Sequence, residues 1–250
     1  MSDTKGGSMS AVLVAEDLTV AYGGINAVRG LNIRVNEGCA TALVGRNGAG
    51  KTTAMRGIMR TDGVSVSGSI SVRRGSGLVQ MSRPSTRDLA LAGVAWVPDT
   101  RRLFPRLTVR QMLTLAAEST LGTSRAQEAV AEAVDAVPQI SDLLERNSTQ
   151  MSGGQQQLVA IARAFATKPA VILMDEPSEG LAPVVVDQVR NVVRGLMGGG
   201  VGVLLAEQNV DFVLDIADDV IGMVAGESAW ATTAAACRGD RRLLESVVAL

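Results

Sequence analysis

The sequence contains no histidine and few aromatic residues, and each shortage removes a class of chemistry. The absence of histidine excludes Ser-His-Asp triads, histidine metal sites and histidine acid–base catalysis within this chain. Aromatic residues make up only 2% of the sequence, so few side chains are present to stack on nucleobases. The 46% hydrophobic content must therefore build a largely aliphatic core.

Strong charge, cysteine motifs and long apolar runs are also lacking. The net charge is −1, so the chain has no overall positive potential that would attract nucleic acid. We therefore expect no nucleic-acid partner. Cys39 and Cys237 follow no CxxC pattern, which favours a reduced cytosolic setting over a disulfide scaffold. No run of about 18 apolar residues is present, so any membrane-spanning part is expected to come from a partner.

The order of apolar runs and helical patterns predicts an α/β fold with an inserted helical part. Strand-like runs alternate with helical patterns, which is typical of a mainly parallel sheet. Gly63–Gly77 is rich in Gly, Ser and Val and predicts a small antiparallel flap. Thr108 and Gln111 form a capping box that begins a strong helix. The predicted parts are a polar tail at 1–10, a core at 11–84 and 151–226, a helical subdomain at 85–150, and a C-terminal tail or helix at 227–250.

Gly45–Thr52, with the sequence GRNGAGKT, matches the phosphate-loop pattern G-x-x-x-x-G-K-[ST]. An apolar run predicted as a buried strand precedes it, and a helical pattern follows. In such loops, backbone N–H groups surround phosphate oxygens, Lys51 reaches the β- and γ-phosphates, and the Thr52 hydroxyl binds Mg²⁺. A glycine turn with a surface lysine is the alternative, and the flanking elements count against it. The predicted nucleotide-binding residues are Gly45, Arg46, Asn47, Gly48, Ala49, Gly50, Lys51, Thr52 and Thr53.

Val171–Pro177, with the sequence VILMDEP, ends an apolar run with two acids. A carboxylate near the core is costly unless something compensates its charge, and Mg²⁺ would do so. We therefore predict that Asp175 holds the metal through water and that Glu176 polarises the attacking water. Solvated acids at a strand end are the alternative, which the phosphate loop in the same chain disfavours.

A second helix start, at Met151–Gln157, carries two glycines. Ser152 and Gln155 match a capping box, and apolar residues follow at helical spacing. The sequence offers no packing reason for Gly153 and Gly154, whereas an anion at the free N–H groups of the first turn would need them. An ordinary cap leaves Gly153 unexplained, because glycine there costs up to about 1 kcal/mol relative to alanine. The pattern predicts a second anion site.

The block from Met151 to Pro177 resembles the signature helix and Walker B region of ABC-type ATPases, and the resemblance extends over about Val12–Gly226. It implies a P-loop NTPase fold with a RecA-like core, and hydrolysis of ATP with Mg²⁺. In that family, the signature of one subunit closes over the γ-phosphate held by the phosphate loop of another. The resemblance therefore implies a homodimer, or a heterodimer with a related ATPase. It makes nucleotide ligands of Ser152, Gly153, Gly154 and Gln155.

Three further positions are assigned from this resemblance. Tyr22 stands where the family stacks an aromatic ring on adenine, and a buried tyrosine at a strand end is the alternative. Asp99 replaces the usual glutamine, and it can accept a hydrogen bond from metal-bound water. Gln208 replaces the usual histidine, and its amide can donate to the γ-phosphate but cannot shuttle a proton. The expected catalytic residues are Glu176, Lys51, Gln208 and Asp99, and the expected metal ligands are Thr52, Asp175 and Asp99.

Val97–Val109, Asp175–Pro183 and Leu204–Asn209 resemble the ATPase subunits of branched-chain amino acid importers, and urea or short-amide importers share much of the pattern. This implies a peripheral subunit at the cytoplasmic face of a membrane, joined to integral permease subunits and indirectly to a solute-binding protein. The helical subdomain would dock on the permease. A soluble ABC ATPase that moves no solute stays open. A P-loop kinase or GTPase is disfavoured by the SGGQ block and the absence of N-K-x-D.

Overall fold

The computed structural model describes residues 10–248, so nearly all of the predicted tail at 1–10 lies outside the described residues. Ten strands, nine α-helices and two short 3-10 helices occur in this range. The strands are β1 (Ala11–Tyr22), β2 (Ile25–Asn36), β3 (Ala40–Val44), β4 (Ser65–Arg74), β5 (Gly77–Gln80), β6 (Val94–Val97), β7 (Val171–Asp175), β8 (Gly202–Glu207), β9 (Asp219–Val224) and β10 (Glu227–Thr233). The helices are α1 (Lys51–Ile58), α2 (Thr86–Leu91), α3 (Val109–Leu121), α4 (Thr123–Ala136), α5 (Gly153–Phe165), α6 (Pro183–Gly198), α7 (Val210–Ile216), α8 (Ala234–Gly239) and α9 (Arg242–Val248), and the 3-10 helices are Pro138–Leu143 and Ser148–Gln150.

A six-stranded sheet in the order β10-β9-β3-β8-β7-β6 forms the centre of the molecule. All its strand pairs are parallel except β9 with β10, which confirms the predicted mainly parallel sheet. Every residue of β3, β7 and β8 is buried, which explains why these segments are nearly uninterrupted apolar runs. Val44 pairs with Glu207, and Asp175 pairs with Ala206. The carboxyl ends of these three strands therefore lie together, at the same end of the sheet.

An antiparallel sheet in the order β2-β1-β4-β5 covers one face of the central sheet. β1 and β2 form a hairpin around Gly23–Gly24, and β4 supplies the predicted flap. The flap is therefore larger than Gly63–Gly77, because the long strands β1 and β2 belong to it. Leu43 of the central sheet lies in the same apolar cluster as this sheet and α1, whereas its neighbours Ala42 and Val44 contact the cluster of α5, α6 and α7 on the opposite face.

The predicted helical insertion is present, with different limits. Thr108 Oγ1 accepts a hydrogen bond from the Gln111 N–H, and Gln111 Oε1 accepts one from the Thr108 N–H, so the capping box of α3 is confirmed. Helices α3 and α4 pack together and against α5. Val94–Val97, however, forms β6 and pairs with β7, although it falls inside the predicted subdomain at 85–150. We propose that the helical subdomain begins after β6.

The C-terminal part is more than a tail with a closing helix. Within 227–248, β10 extends the central sheet before α8 and α9 begin. The expected closing helix is α9, and its Leu244 and Val247 are buried. The Val247 carbonyl accepts a hydrogen bond from the Arg46 N–H, so this helix contacts the start of the phosphate loop. None of the helices in the described range is long and apolar enough to cross a membrane.

Candidate active site

The predicted phosphate loop connects the buried strand β3 to α1, as the sequence pattern requires. Gly50 is the residue before the helix, and its φ of +104° lies in the region that favours glycine. Lys51 begins α1 and is only 4% exposed. Its Nζ donates to the carbonyl oxygens of Gly45 at 2.7 Å and Arg46 at 3.2 Å, and lies 3.3 Å from Glu176 Oε1. The buried ammonium is therefore compensated by this loop and one carboxylate.

Thr52 and Asp175 are 123 positions apart in the sequence, and the fold brings them together. The Thr52 hydroxyl donates to Asp175 Oδ1 at 2.9 Å, while Asp175 Oδ2 is buried without a hydrogen-bond partner. Burial raises the pKa of Asp175 to about 6, although the bond from Thr52 acts in the opposite direction. Such an unsatisfied carboxylate oxygen beside a hydroxyl fits a hard divalent cation such as Mg²⁺.

A cavity of about 380 Å³ lies over the phosphate loop. Glu176 reaches it from the end of β7 with a φ of +48°, which is uncommon for a residue other than glycine. Glu179 hydrogen-bonds to Glu176, and this contact together with the negative charge of Glu176 raises the pKa of Glu179. The cavity is lined by Ala27, Asn47, Gly48, Gly50, Lys51, Thr52, Thr53, Asp99, Glu176 and Glu179. Within the described range, no group of three or more Asp, Glu or Cys side chains forms a metal site by itself, so phosphate oxygens would have to complete a Mg²⁺ shell here.

Within residues 10–248, the lining of this cavity does not include Tyr22, Gln208 or Arg46. It also lacks the predicted site residues Gly45, Ala49 and Asp175. Tyr22 ends β1, and its hydroxyl accepts a hydrogen bond from Arg56 Nη1 at 3.4 Å. Gln208 follows β8 and is half-buried, with its N–H donating to Glu207 Oε2. Arg46 belongs to the phosphate loop but borders a separate cavity of about 350 Å³ next to α9. Asp99, in contrast, lines the main cavity.

The second predicted anion site lies at the start of α5. Ser152 Oγ accepts from the Gln155 N–H and Gln155 Oε1 accepts from the Ser152 N–H, which confirms the capping box. Ser152 and Gly153 are exposed. Gly154 does have a packing reason, contrary to the expectation from the sequence: a Cβ there would lie 2.6 Å from Val185 Cγ1 of α6. A Cβ on Gly153 would be 3.4 Å from Arg101 Nη1, at the end of a flexible side chain.

Among the described residues, those that line the main cavity do not include Ser152, Gly153, Gly154 or Gln155 of the second predicted anion site. Two acids near the main cavity were missed by the sequence argument. Glu179 is the third acidic residue in the segment that begins at Asp175. Its position three residues after Glu176 could have identified it from the sequence. Glu207 ends the apolar strand β8, and an acid at the end of an apolar run is the same signal that identified Asp175.

The comparisons with known proteins agree with this geometry. The sequence profile of the ABC transporter family matches residues 28–179. The chain is 35% identical over 208 residues to the high-affinity branched-chain amino acid transport ATP-binding protein BraG of Pseudomonas aeruginosa, covering 83% of this chain and 86% of that protein. It is 30% identical over 221 residues to the probable branched-chain amino acid transport ATP-binding protein LivF of Archaeoglobus fulgidus, covering 87% and 90%.

Solved structures show the same fold. One of them is the dimeric structure of an ATP-binding cassette in a post-hydrolysis state, bound to ADP and phosphate. It superposes with a TM-score of 0.76 at 22% identity and covers 89% of this chain and 98% of that chain. The fold, the phosphate loop and the family match lead to one conclusion: the chain belongs to the ABC transporter family and is an ATP-binding and ATP-hydrolysing subunit of that family.

Proposed function

We propose that this chain holds Mg-ATP with the residues that surround the main cavity. The backbone N–H groups from Gly45 to Thr53 bind the phosphates, and the N-terminus of α1 adds positive potential. Thr52, Asp175 and Asp99 hold Mg²⁺, which neutralises phosphate charge when bound. The observation that carries this assignment is the contact of the Thr52 hydroxyl with the buried, half-satisfied carboxylate of Asp175. Tyr22 is assigned to the adenine ring by its place at the end of β1.

Glu176 is assigned to orient and polarise the attacking water, with Lys51 and Gln208 at the γ-phosphate. The 3.3 Å contact between Lys51 Nζ and Glu176 Oε1 supports this, because a γ-phosphate bound to Lys51 would lie close to Glu176. Phosphate oxygens would replace the carbonyls of Gly45 and Arg46 around the ammonium. Glu179 adds a second acid next to Glu176, so negative charge on this wall repels the triphosphate until Mg²⁺ and the loop compensate it.

A second chain completes the site in this proposal. The exposed start of α5 offers N–H groups to an anion but lies apart from the cavity of its own chain. Ser152, Gly153, Gly154 and Gln155 would therefore meet the γ-phosphate of a partner, either another copy or a related ATPase. The dimeric cassette bound to ADP and phosphate supports this arrangement by its similar fold. Binding of ATP would join the two chains, and hydrolysis would let them separate.

The transported solutes are proposed to be branched-chain or similar hydrophobic amino acids. The support is the similarity to BraG and LivF, which are named for that transport. The chain would lie at the cytoplasmic face of the membrane, with its helical subdomain on integral permease subunits that receive solute from a binding protein. ATP-driven pairing of the two ATPases would then change the conformation of the permease.

Glu176→Gln tests this function directly. The amide keeps the shape of the side chain but removes the negative charge, so ATP binding should persist while hydrolysis falls by about 10²–10⁴-fold. In a strain that lacks this chain, the variant should also fail to restore uptake of labelled leucine, isoleucine and valine. ATPase activity is measured by phosphate release in the presence of Mg²⁺.

Glu128→Gln is the matched control, because Glu128 is an exposed acid on α4. It should hydrolyse ATP as the wild type does. Turnover of Glu176→Gln within a few-fold of the wild type would disprove the role of Glu176. Uptake of urea or short amides in place of the amino acids would leave the ATPase assignment intact and move the solute to that class.

A further inference from the structure

Glu207 is a buried carboxylate that the proposed reaction does not use. It ends β8 and is only 1% exposed. Its Oε1 accepts a hydrogen bond from the Ser178 N–H at 2.9 Å, and its Oε2 accepts from the N–H groups of Gln208 and Asn209 at 3.1 Å each. No basic side chain in the part of the chain described here forms an ion pair with it. Both oxygens therefore accept from backbone amides, and the Ser178 side chain also hydrogen-bonds to the carboxylate.

Packing alone does not explain an acid at this position. The other residues of β8 are apolar and buried, and an apolar side chain would continue that pattern without removing a charge from water. Burial raises the pKa of Glu207, and the hydrogen bonds from Ser178, Gln208 and Asn209 act in the opposite direction. Because burial of this carboxylate is energetically unfavourable, its presence here indicates that the hydrogen bonds that it accepts have a role of their own.

The hydrogen bonds connect two loops that leave the sheet side by side. Ser178 lies between Glu176 and Glu179 in the loop after β7. Gln208 begins the loop after β8. The Glu176 N–H also donates to the Ala206 carbonyl at 2.8 Å, so the loops are already in contact at their first residues. Glu207 extends this contact two residues further along the first loop.

We propose that Glu207 is a positioning residue that fixes the backbone of Gln208 relative to the loop of Glu176. The side chains of Glu176 and Gln208, which are proposed to act on one γ-phosphate, are thereby held in fixed positions relative to each other. Glu207 itself contacts neither nucleotide nor metal in this proposal. The inference rests on the proposed role of Gln208 at the γ-phosphate. Its physical basis is that a carboxylate accepts at both oxygens, so one side chain can hold donors from both loops.

Glu207→Gln changes this arrangement without changing the size of the side chain. A glutamine has one acceptor oxygen, so its NH₂ group would face an N–H donor from one of the two loops. That loop should move away, so the position of Gln208 relative to the loop of Glu176 should change. We expect kcat for ATP to fall at least about tenfold, with KM for ATP changed less than about threefold, because the phosphate loop is untouched.

A double-mutant cycle separates positioning from general destabilisation. The four proteins are the wild type, Glu207→Gln, Gln208→Ala and the double variant, and kcat, KM and the melting temperature are measured for each. If Glu207 acts through Gln208, the double variant should lose no more kcat than Gln208→Ala alone. A loss in the double variant equal to the product of the two single losses would overturn the inference.

The outcomes also separate this inference from the function on which it rests. Wild-type kcat in Gln208→Ala would overturn both the role of Gln208 and the positioning role of Glu207. A reduced kcat in Gln208→Ala together with wild-type kcat in Glu207→Gln would overturn the positioning role only. If Glu207→Gln does not fold, Glu207→Asp replaces it in the cycle. Its carboxylate keeps the charge but is one methylene shorter, so it cannot hold the donors of both loops at the same distances, and kcat should fall below that of the wild type. Wild-type kcat in Glu207→Asp would overturn the inference.

Discussion

Among single residues, Asp175 is a buried carboxyl group whose surroundings disfavour its charged form. It is 1% exposed, one of its oxygens has no hydrogen-bond partner, and burial raises its pKa to about 6. Between its ordinary pKa of 3.8 and about 6, the carboxyl is ionised in the unfolded chain but protonated in the folded one. Stability therefore falls as pH rises through this window, and the full loss of about 3 kcal/mol is present above it.

Asp175→Asn should consequently raise the melting temperature of the nucleotide-free protein at pH 7.5 in EDTA. Asparagine can still accept the hydrogen bond from Thr52 but carries no charge to bury. At pH 4.5 the gain should be much smaller, since the folded wild type is then protonated. Thermal unfolding followed by circular dichroism measures both values, with the exposed acid variant Asp142→Asn as control. An equal shift at the two pH values would contradict the explanation.

The meeting of Lys51, Thr52, Asp175 and Glu176 could be predicted because each residue follows a recognisable buried strand or begins a helix. These strands, β3 and β7, are both parallel to β8 and lie on either side of it, so their carboxyl ends meet at the same end of the sheet. The position of Tyr22 beside Arg56 could not be predicted, because it depends on how the antiparallel sheet lies on α1. Glu207 was missed only because a single acid after an apolar strand is a weaker signal than the pair at Asp175 and Glu176.

Between elements, the two glycines at the start of α5 serve different contacts. Gly154 lies against Val185 of α6, and an added Cβ would be 2.6 Å from Val185 Cγ1. Gly153 is exposed and has only the end of the Arg101 side chain nearby. The first glycine thus remains explained by an approaching anion, whereas helix packing is sufficient to explain the second.

Gly154→Ala should destabilise the fold by about 1–3 kcal/mol, since α5 and α6 must move apart. Gly153→Ala should leave the melting temperature unchanged or raise it, because alanine favours the helix by up to about 1 kcal/mol. The same substitution should weaken ATP-driven pairing of Glu176→Gln chains, measured by light scattering, because its methyl group would occupy the approach to the first turn. Unimpaired pairing of Gly153→Ala would contradict the second anion site.

Two of the strands that were not predicted from the sequence, β6 and β10, lie at the two edges of the central sheet. The edge strand β6 has only four residues, too few to show a period, and β10 is largely exposed. The central strands β3, β7 and β8 were recognisable because burial on both faces makes them continuously apolar. The predicted start of the helical subdomain at residue 85 precedes β6 for the same reason, since β6 could not be told apart from the segment around it.

For the whole molecule, the fold places two predicted anion sites in one chain. Among the described residues, those that line the cavity over the phosphate loop do not include Ser152 and Gly153 at the start of α5. In the proposed dimer, the start of α5 of one chain would meet the nucleotide held by the phosphate loop of the other. A change at the start of α5 should therefore affect pairing without affecting the binding of ATP to a single chain.

Ser152→Arg in the Glu176→Gln background tests this consequence. The long side chain would fill the exposed start of α5, so the partner nucleotide could not approach, and the lost cap would cost about 1 kcal/mol of stability. Fluorescent ATP should bind each chain with an affinity like that of Glu176→Gln alone, while light scattering should show monomers at saturating ATP. Ser124→Arg, at an exposed serine of α4, should still pair. ATP-driven dimers of the Ser152→Arg protein would show that the nucleotide is bound by one chain only.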